Sequence, residues 1–172
     1  MSSPVFGVTG WKNSGKTTLV TKLLGEFTSR GYRVSTVKHA HHGFDIDKPA
    51  TDSFRHREAG ASEVMIVSGN RWALMHELRG EAEPPLEAAL KRLSPCDLVL
   101  VEGYKREGHP KIEVRRTAAA KQEPLAPQDS AILAVASDRP ADAGDRPSFD
   151  LDDVSGIADF IEARLGLRRK HG

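Results

Sequence analysis

Cysteine is nearly absent from this sequence. Its 172 residues include only one, Cys96, so no disulfide can form within the chain, which suits a reducing compartment. There is also no apolar run long enough to span a bilayer, and no basic segment followed by an apolar one opens the chain. We therefore expect a cytoplasmic protein that makes no contact with a membrane.

An excess of charge of either sign is missing as well. The 25 lysines and arginines nearly balance the 24 aspartates and glutamates, which gives a net charge of +1. No broad positive field is available to attract nucleic acid, so we expect no nucleic-acid partner. The length predicts a single domain over residues 1–167, followed by a basic tail at 168–172.

The sequence does contain a glycine- and lysine-bearing loop near its start, which we term the glycine-lysine loop. Gly10-Trp11-Lys12-Asn13-Ser14-Gly15-Lys16-Thr17 matches the pattern G-x-x-x-x-G-K-[ST]. An apolar, β-branched stretch at residues 4–9 precedes it, and residues 18–27 repeat their apolar positions at helical spacing. Strand, loop and helix are the context that this motif needs. A turn that only starts a helix is the plainer alternative.

The motif predicts a phosphate site. Backbone N–H groups of the loop and of the helix start attract phosphate groups. We expect Lys16 to reach the β- and γ-phosphates and to assist any hydrolysis, and the Thr17 hydroxyl to ligate Mg²⁺. Residues 10–17 together with Thr18 are therefore predicted to bind a nucleoside triphosphate.

The order of the predicted elements indicates the fold class. Apolar strands and helical segments alternate along the chain, with strands at 33–38, 97–102 and 131–136 and helices at 86–93 and 154–165. This alternation predicts an α/β, P-loop NTPase-type three-layer fold with a mostly parallel sheet. Residues 63–77 predict an antiparallel hairpin that we expect to extend a sheet edge. Residues 111–115 alternate in polarity and predict a more exposed strand.

Two carboxylates are predicted to serve Mg²⁺. Glu102 ends an apolar strand, and ligands bind at the carboxyl ends of strands in open α/β sheets, so we also expect it to assist hydrolysis. A carboxylate that simply caps a strand is the alternative. In the polar loop after the second strand, Asp47 offers an oxygen ligand that we expect to hold the same ion, directly or through water.

The same polar loop carries three histidines, His39, His41 and His42. Imidazole binds nickel, zinc and copper, so a metallochaperone GTPase is one alternative function. Adjacent side chains of an extended segment point to opposite sides, which makes it hard for His41 and His42 to share one ion. We favour a loop that senses phosphate or a partner.

Asp138 is the candidate for reading the base. It follows the last apolar strand, and a carboxylate there is able to accept both the N1–H and the N2–H of guanine, a donor pair that adenine lacks. An aspartate that merely forms a turn before Pro140 is the alternative.

Four further runs of residues accompany the loop, and the first two of them are far more specific than the loop alone. They are Lys38-His39-x-His41-His42-x-x-Asp45-x-Asp47-Lys48-Pro49, Arg71-Trp72-Ala73-Leu74-Met75, Leu100-Val101-Glu102-Gly103-Tyr104-Lys105 and Ala134-Val135-Ala136-Ser137-Asp138. In their order and spacing they resemble the molybdopterin-guanine dinucleotide biosynthesis protein B family. The likeness extends over roughly residues 5–165.

The resemblance implies a GTP-binding accessory protein of molybdenum cofactor maturation, with weak GTPase activity. In that picture residues 10–18 bind the phosphates, Thr17 and Glu102 serve Mg²⁺, and Asp47 faces the nucleotide. It also implies a homodimer and a guanylyltransferase partner, and it leaves open whether molybdopterin binds directly. The hairpin at 63–77 is the candidate dimer contact, because an exposed strand edge is able to pair with its copy.

A small-molecule kinase on the same scaffold is the other alternative, with Arg106 or Arg115 in a lid. The sequence offers no assignable glutamine or arginine finger, so we predict slow turnover for the isolated protein.

Overall fold

A computed structural model gives the structure of residues 3–40, 43–139 and 143–168. The chain forms two compact units, one of Met1–His39 with Leu86–Gly172 and one of Ala40–Pro85. The single domain that the length predicts stays a prediction. Of the predicted basic tail, residues 169–172 lie outside the described residues.

In the sequence, the second unit is inserted between the two parts of the first. The first unit contains β1 (Val5–Thr9), α1 (Lys16–Ser29), β2 (Val34–Lys38), α3 (Leu86–Leu90), β5 (Leu98–Glu102), β6 (Lys111–Arg115), a 3-10 turn (Ala126–Gln128), β7 (Ile132–Ser137), β8 (Ser148–Asp150) and α4 (Val154–Leu165). The second contains α2 (Asp52–Glu58), β3 (Glu63–Val67) and β4 (Trp72–His76). Among the helices of the described segments, none is both long and apolar enough to cross a membrane.

The first unit is built on a six-stranded sheet in the order β2-β5-β1-β6-β7-β8, and every neighbouring pair is parallel. This confirms the predicted α/β class and its mostly parallel sheet. The short strand β8, which adds an edge beside β7, was not predicted; three residues are too few for a periodic signal.

Side-chain alternation in β5 explains the three layers. Leu98 and Leu100 belong to the core that α1 and α4 cover. Val99 and Val101 point to the opposite face, where they pack with Leu86 of α3. Successive residues of a strand point to opposite faces, so a strand buried on both faces must be apolar throughout.

Helix α1 is held against the sheet by one apolar stripe. Its residues Leu19, Val20, Leu23 and Phe27 recur at helical spacing and are buried. The helix ends at Ser29, and Gly31 just beyond it takes a left-handed conformation with φ of 84°.

Strand β6 is buried, and the prediction of a more exposed strand was wrong. Lys111 and Glu113 are almost completely inaccessible to solvent because β6 lies between β1 and β7 in the middle of the sheet. Both charges are satisfied by partners from other segments of the chain. The Lys111 ammonium pairs with Asp129 at 3.1 Å, and the Glu113 carboxylate accepts the N–H groups of Leu125 and Ala126 at 2.8 and 2.9 Å. In β6 the alternation of polar and apolar residues therefore reflects buried, paired charges and not an exposed face.

The hairpin forms a two-stranded sheet of its own from β3 and β4. The predicted extension of the main sheet is thus absent among the described residues. Local bonding explains why the hairpin belongs to the second unit. Arg57 of α2 donates to Asp47 at 2.6 Å and to Glu77 at 2.8 Å, and so ties the helix to the preceding loop and to the end of the hairpin. Such a network lets a short hairpin pack without a neighbouring strand.

Candidate functional site

The glycine-lysine loop joins the carboxyl end of β1 to α1 and borders a cavity of about 350 Å³. The cavity is lined by Asn13, Gly15, Lys16, Thr17, Thr18, Glu102 and Arg116. The first turn of a helix leaves backbone N–H groups without helical acceptors, and the macrodipole adds positive potential there. The cavity therefore combines the amides of the α1 start with two cationic side chains, a hydroxyl pair and one carboxylate.

Backbone conformation sets the curvature of the loop. Gly10 has φ of 148°, and a Cβ there would overlap the carbonyl oxygen of Val114 on β6. Gly15, which precedes the helix, has φ of 95°, and Asn13 adopts the left-handed conformation with φ of 63°. A loop of this curvature turns its amides inward, which is the arrangement that binds anions.

Lys16 is held close to the loop backbone. Its Nζ donates to the carbonyl oxygens of Trp11 at 2.7 Å and Gly10 at 3.1 Å. Burial lowers the pKa of this ammonium, Glu102 raises it in part, and the nearby cations Lys105 and Lys38 lower it further. A concentrated positive charge of this kind favours the approach of an anion.

Thr17 and Glu102 form the candidate cation site. The Thr17 hydroxyl donates to Glu102 Oε1 at 2.7 Å, and Lys38 Nζ lies 3.2 Å from the same carboxylate oxygen. Hydroxyl and carboxylate oxygens are the ligands that Mg²⁺ prefers, so the donor set fits this ion. Lys38 also lies 3.4 Å from the Thr17 hydroxyl, which places an ammonium group beside both oxygens.

Among the remaining loop residues, Trp11 and Lys12 bind neighbouring backbone and do not line the cavity. The Trp11 indole N–H donates to the Glu123 carbonyl at 2.7 Å, and the Lys12 carbonyl accepts the N–H of Ala120 at 3.1 Å. The Ser14 side chain is buried, and its hydroxyl has no hydrogen-bond partner among the described residues. Their predicted contribution to nucleotide binding stays a prediction.

Asp138 directly follows β7, at the same end of the sheet as the cavity. Its two carboxylate oxygens accept the backbone N–H of Thr117 at 3.1 Å each, and one accepts the Thr117 hydroxyl at 3.2 Å. The Nε atom of Arg116, which lines the cavity, is 4.0 Å away. The carboxylate is thus oriented by the segment that follows β6, and its role as base reader stays a prediction.

Asp47, the third predicted Mg²⁺ ligand, belongs to the second unit. Its carboxylate is bonded to Arg57, which holds the pKa of this carboxyl below its usual range. Its predicted metal role stays a prediction. His41 and His42 lie outside the described residues. Within the part of the chain that the structure describes, no group of three or more histidine, cysteine or acidic side chains is suited to hold a metal ion.

Two cationic residues of the site are absent from the sequence prediction: Arg116, which lines the cavity, and Lys38, which contacts Glu102 beside it. Lys38 ends β2 and Arg116 directly follows β6, so both stand at the carboxyl ends of strands, where the prediction had sought only Glu102 and Asp138. Their position at strand ends was a usable signal. Arg115, the lid residue of the kinase alternative, instead donates to the buried Glu113 at 2.8 Å.

A second cavity, of about 450 Å³, lies near the ends of β6 and β7. Three arginines, Arg115, Arg139 and Arg146, line it together with small apolar residues such as Ala126 and Ala143. Cationic groups around an apolar floor suit a planar ligand that carries a negative charge.

A sequence model of the family described as "Molybdopterin guanine dinucleotide synthesis protein B" matches residues 5–138, the stretch that runs from β1 through Asp138. This chain belongs to that MobB family. The resemblance predicted from the sequence is confirmed, and with it a role in molybdopterin guanine dinucleotide biosynthesis.

Relatives of similar length support the assignment. The "Molybdopterin-guanine dinucleotide biosynthesis adapter protein" of Haemophilus influenzae is 43% identical over 159 residues, which cover 92% of this chain and 88% of that protein. The Escherichia coli protein of the same name is 41% identical over 160 residues, covering 92% and 91%.

Solved structures of MobB proteins share the fold. A crystal structure of molybdopterin-guanine biosynthesis protein B matches with a TM-score of 0.71 at 29% identity, covering 94% of this chain and 99% of that one. Bacillus subtilis MobB gives a TM-score of 0.73 over 94% of this chain and 98% of that one; at 22% identity it supports the fold alone.

Proposed function

We propose that this MobB chain is a cytoplasmic GTP-binding adapter with slow GTPase activity that uses Mg²⁺. The observation that carries the proposal is the convergence of Lys16, Thr17 and Glu102 on one cavity at the start of α1. A cation, a hydroxyl and a carboxylate in this arrangement suit the phosphates and the metal of a triphosphate. The H. influenzae and E. coli relatives are named adapter proteins of the same biosynthesis.

Hydrolysis by this site is expected to be slow. Lys16 and the amides of the α1 start neutralise phosphate charge, and Mg²⁺ held by Thr17 and Glu102 adds its own charge to that neutralisation. Among the described residues that line the cavity there is no glutamine or histidine to orient an attacking water. A kcat of the isolated protein in the ordinary kinase range, ~1–100 s⁻¹, contradicts this proposal.

Calorimetric titration with GTP and Mg²⁺ tests the binding site. Lys16→Ala is expected to weaken binding by at least about tenfold, because a charge-assisted contact to phosphate is lost. Lys91→Ala is the control, since this exposed lysine pairs with Glu87 and does not line the cavity. Equal affinities for the wild type and Lys16→Ala overturn the proposal.

Base selectivity is proposed to rest on Asp138. The wild type is expected to bind GTP more tightly than ATP. Asp138→Asn is expected to favour xanthosine triphosphate over GTP, because xanthine has a carbonyl acceptor where guanine has its N2 donors. Thr117→Val is the control: it removes one hydroxyl contact to Asp138 but keeps the backbone N–H that orients the carboxylate. Unchanged base preference in Asp138→Asn removes the guanine assignment.

We further propose that the hairpin makes the homodimer contact. Cross-strand pairing places Met65 beside Leu74 and Val67 beside Trp72, so the four side chains share one face. All four are exposed, Val67 by 69%, and an apolar face of this kind favours association. Sedimentation analysis is expected to show a dimer that Val67→Glu dissociates, whereas Asn70→Glu in the turn leaves it intact. A wild-type monomer excludes this contact.

The proposed protein partner is the guanylyltransferase of molybdopterin guanine dinucleotide synthesis. Co-elution of the two proteins on gel filtration, with and without GTP, tests the pair directly; separate elution under both conditions contradicts it.

The arginine-lined cavity is the place where we propose that molybdopterin itself binds. Its phosphate and planar pterin match the cationic rim and the apolar floor. Arg139→Ala and Arg146→Ala are expected to weaken binding of a phosphorylated pterin while GTP affinity stays at the wild-type value.

A further inference from the structure

Two lysine ammonium groups make cation–π contacts with the indole ring of Trp11. Lys105 Nζ lies 4.4 Å from the centroid of the indole ring, and Lys121 Nζ lies 4.7 Å from the same centroid. The ring face attracts each cation, but the two cations repel one another. Their repulsion favours a state in which one of the two ammonium groups leaves the ring and contacts a nearby anion instead.

The backbone beneath Lys105 is fixed. Gly103 and Tyr104 both have positive φ, 92° and 47°, which for tyrosine is an unusual left-handed conformation. The buried Lys111 ammonium donates to the carbonyl oxygens of Lys105, at 2.9 Å, and of Glu107. A strained backbone held by a buried charge positions the Lys105 side chain, while its four-carbon stem stays free to change direction.

Trp11 also contacts the lysine of the candidate phosphate site. Its carbonyl oxygen accepts Lys16 Nζ at 2.7 Å, so one loop residue holds Lys16 through its backbone and Lys105 through its ring. Lys105 is near enough to Lys16 to lower the pKa of that ammonium. The Lys105 ammonium group therefore lies beside the cavity that Lys16 lines.

We propose that Lys105 binds the terminal phosphate of a bound triphosphate, and that the Trp11 ring holds its ammonium group when that phosphate is absent. The inference rests on the proposed nucleotide site and adds to it a residue that distinguishes triphosphate from diphosphate. A charge-assisted contact to phosphate is stronger than a partly exposed cation–π contact, so the triphosphate draws Lys105 off the ring. The cation is supplied in cis, from the loop that follows Glu102.

The test uses Trp11 as an intrinsic probe. The chain contains two tryptophans, Trp11 and Trp72, so Trp72→Phe leaves Trp11 as the sole tryptophan emitter. In this parent, affinities for GTP, a non-hydrolysable GTP analogue and GDP are measured with Mg²⁺. Lys105→Met is expected to lower the ratio of triphosphate to diphosphate affinity by about tenfold, with GDP affinity unchanged. Lys105→Arg is expected to restore most of the ratio because it restores the charge.

Lys121→Met is the matched control, because it removes the other cation from the same ring. It is expected to change the emission of the nucleotide-free protein but to keep the affinity ratio. In the parent, triphosphate is expected to shift Trp11 emission and GDP to shift it less. In Lys105→Met that difference between the nucleotides disappears.

The outcomes separate this inference from the proposed function. If neither nucleotide binds the wild type, which is measured alongside the parent because Trp72 belongs to the proposed dimer face, the nucleotide site and the Lys105 inference both fail. If both bind but the affinity ratio is the same in Lys105→Met as in the parent, the inference alone is overturned. Near-ultraviolet circular dichroism of Lys105→Met checks that the loop remains folded, and a lost ratio that Lys105→Arg does not recover also counts against a role for the charge.

Discussion

The Thr17 hydroxyl donates a 2.7 Å hydrogen bond to Glu102 Oε1, across 85 positions of sequence. The first residue stands in the first turn of α1 and the second ends β5, so the parallel sheet brings two of the three predicted Mg²⁺ ligands together.

We expect Thr17→Val to abolish the gain in triphosphate affinity that Mg²⁺ provides. The loss should be about tenfold, because one oxygen ligand and its contact to Glu102 disappear while the phosphate contacts of Lys16 remain. Calorimetric titration with and without Mg²⁺ measures the gain. Thr18→Val is the control, since this neighbour also lines the cavity but is not bonded to Glu102. A Mg²⁺ effect that survives in Thr17→Val contradicts the assignment.

Lys38 is expected to compete with the cation for Glu102. Its ammonium group lies 3.2 Å from the carboxylate, and like charges raise the free energy of placing Mg²⁺ there. Lys38→Met should therefore lower the Mg²⁺ concentration at which nucleotide binding is half-enhanced. Lys22→Met, which removes a lysine paired with the exposed Asp152, is the control. A higher Mg²⁺ requirement in Lys38→Met would show that this lysine assists the phosphate instead.

Glu113 is expected to be among the most stabilising polar residues of the first unit. Its buried carboxylate accepts the N–H groups of Leu125 and Ala126 and the guanidinium of Arg115. Glu113→Ala leaves these donors without their acceptor and should cost about 2–4 kcal/mol in the free energy of unfolding. Urea denaturation measures the change. Glu123→Ala, at an exposed position nearby, should have almost no effect. Equal effects of the two variants would argue against a stabilising role of the hydrogen bonds that Glu113 accepts.

His109 predicts a pH dependence of stability in the acidic range. Both ring nitrogens are buried without a hydrogen-bond partner among the described residues, and burial together with Lys111 lowers the pKa of this imidazole to about 4. Between pH 4 and 6.5 the unfolded chain therefore binds this proton more readily than the folded one, so the contribution of His109 to stability rises with pH across this window and is constant above it. For a partly buried ring the gain is about 1–2 kcal/mol.

Denaturation midpoints of the wild type and His109→Leu between about pH 4 and 8 test this contribution. The acidic slope should be smaller in the variant. His76 provides a comparison of opposite sign, because Glu63 and Glu81 raise its pKa. The stabilising effect of His76 is present below pH 6.5 and is lost as the pH rises through its raised pKa. His76→Gln should therefore lower the free energy of unfolding below that pKa and leave it unchanged above. An unchanged slope in His109→Leu would exclude a neutral buried imidazole.

Local pattern was sufficient for the elements that carry strong periodicity. The glycine-lysine loop between its strand and helix, the stripe of α1 and the apolar run of β5 each follow from neighbouring residues alone, because curvature, helical spacing and burial on two faces impose distinctive residue choices. For the same reason the apolar run that precedes Glu102 is enough to place this carboxylate at the end of a strand.

Other features depended on which strands become neighbours. The alternating residues 111–115 are typical of a half-exposed strand, but β6 lies inside the sheet, and its charges are tolerated because partners distant in sequence satisfy them. The hairpin was predicted correctly as a hairpin, yet its assignment to a separate unit follows from the Arg57 ion pairs. Sequence determined the loop and the periodic elements. Only tertiary structure decided that Arg116 joins Lys16 at one cavity and that Lys38 reaches Glu102 beside it, because strand order is set by long-range packing that no local pattern encodes.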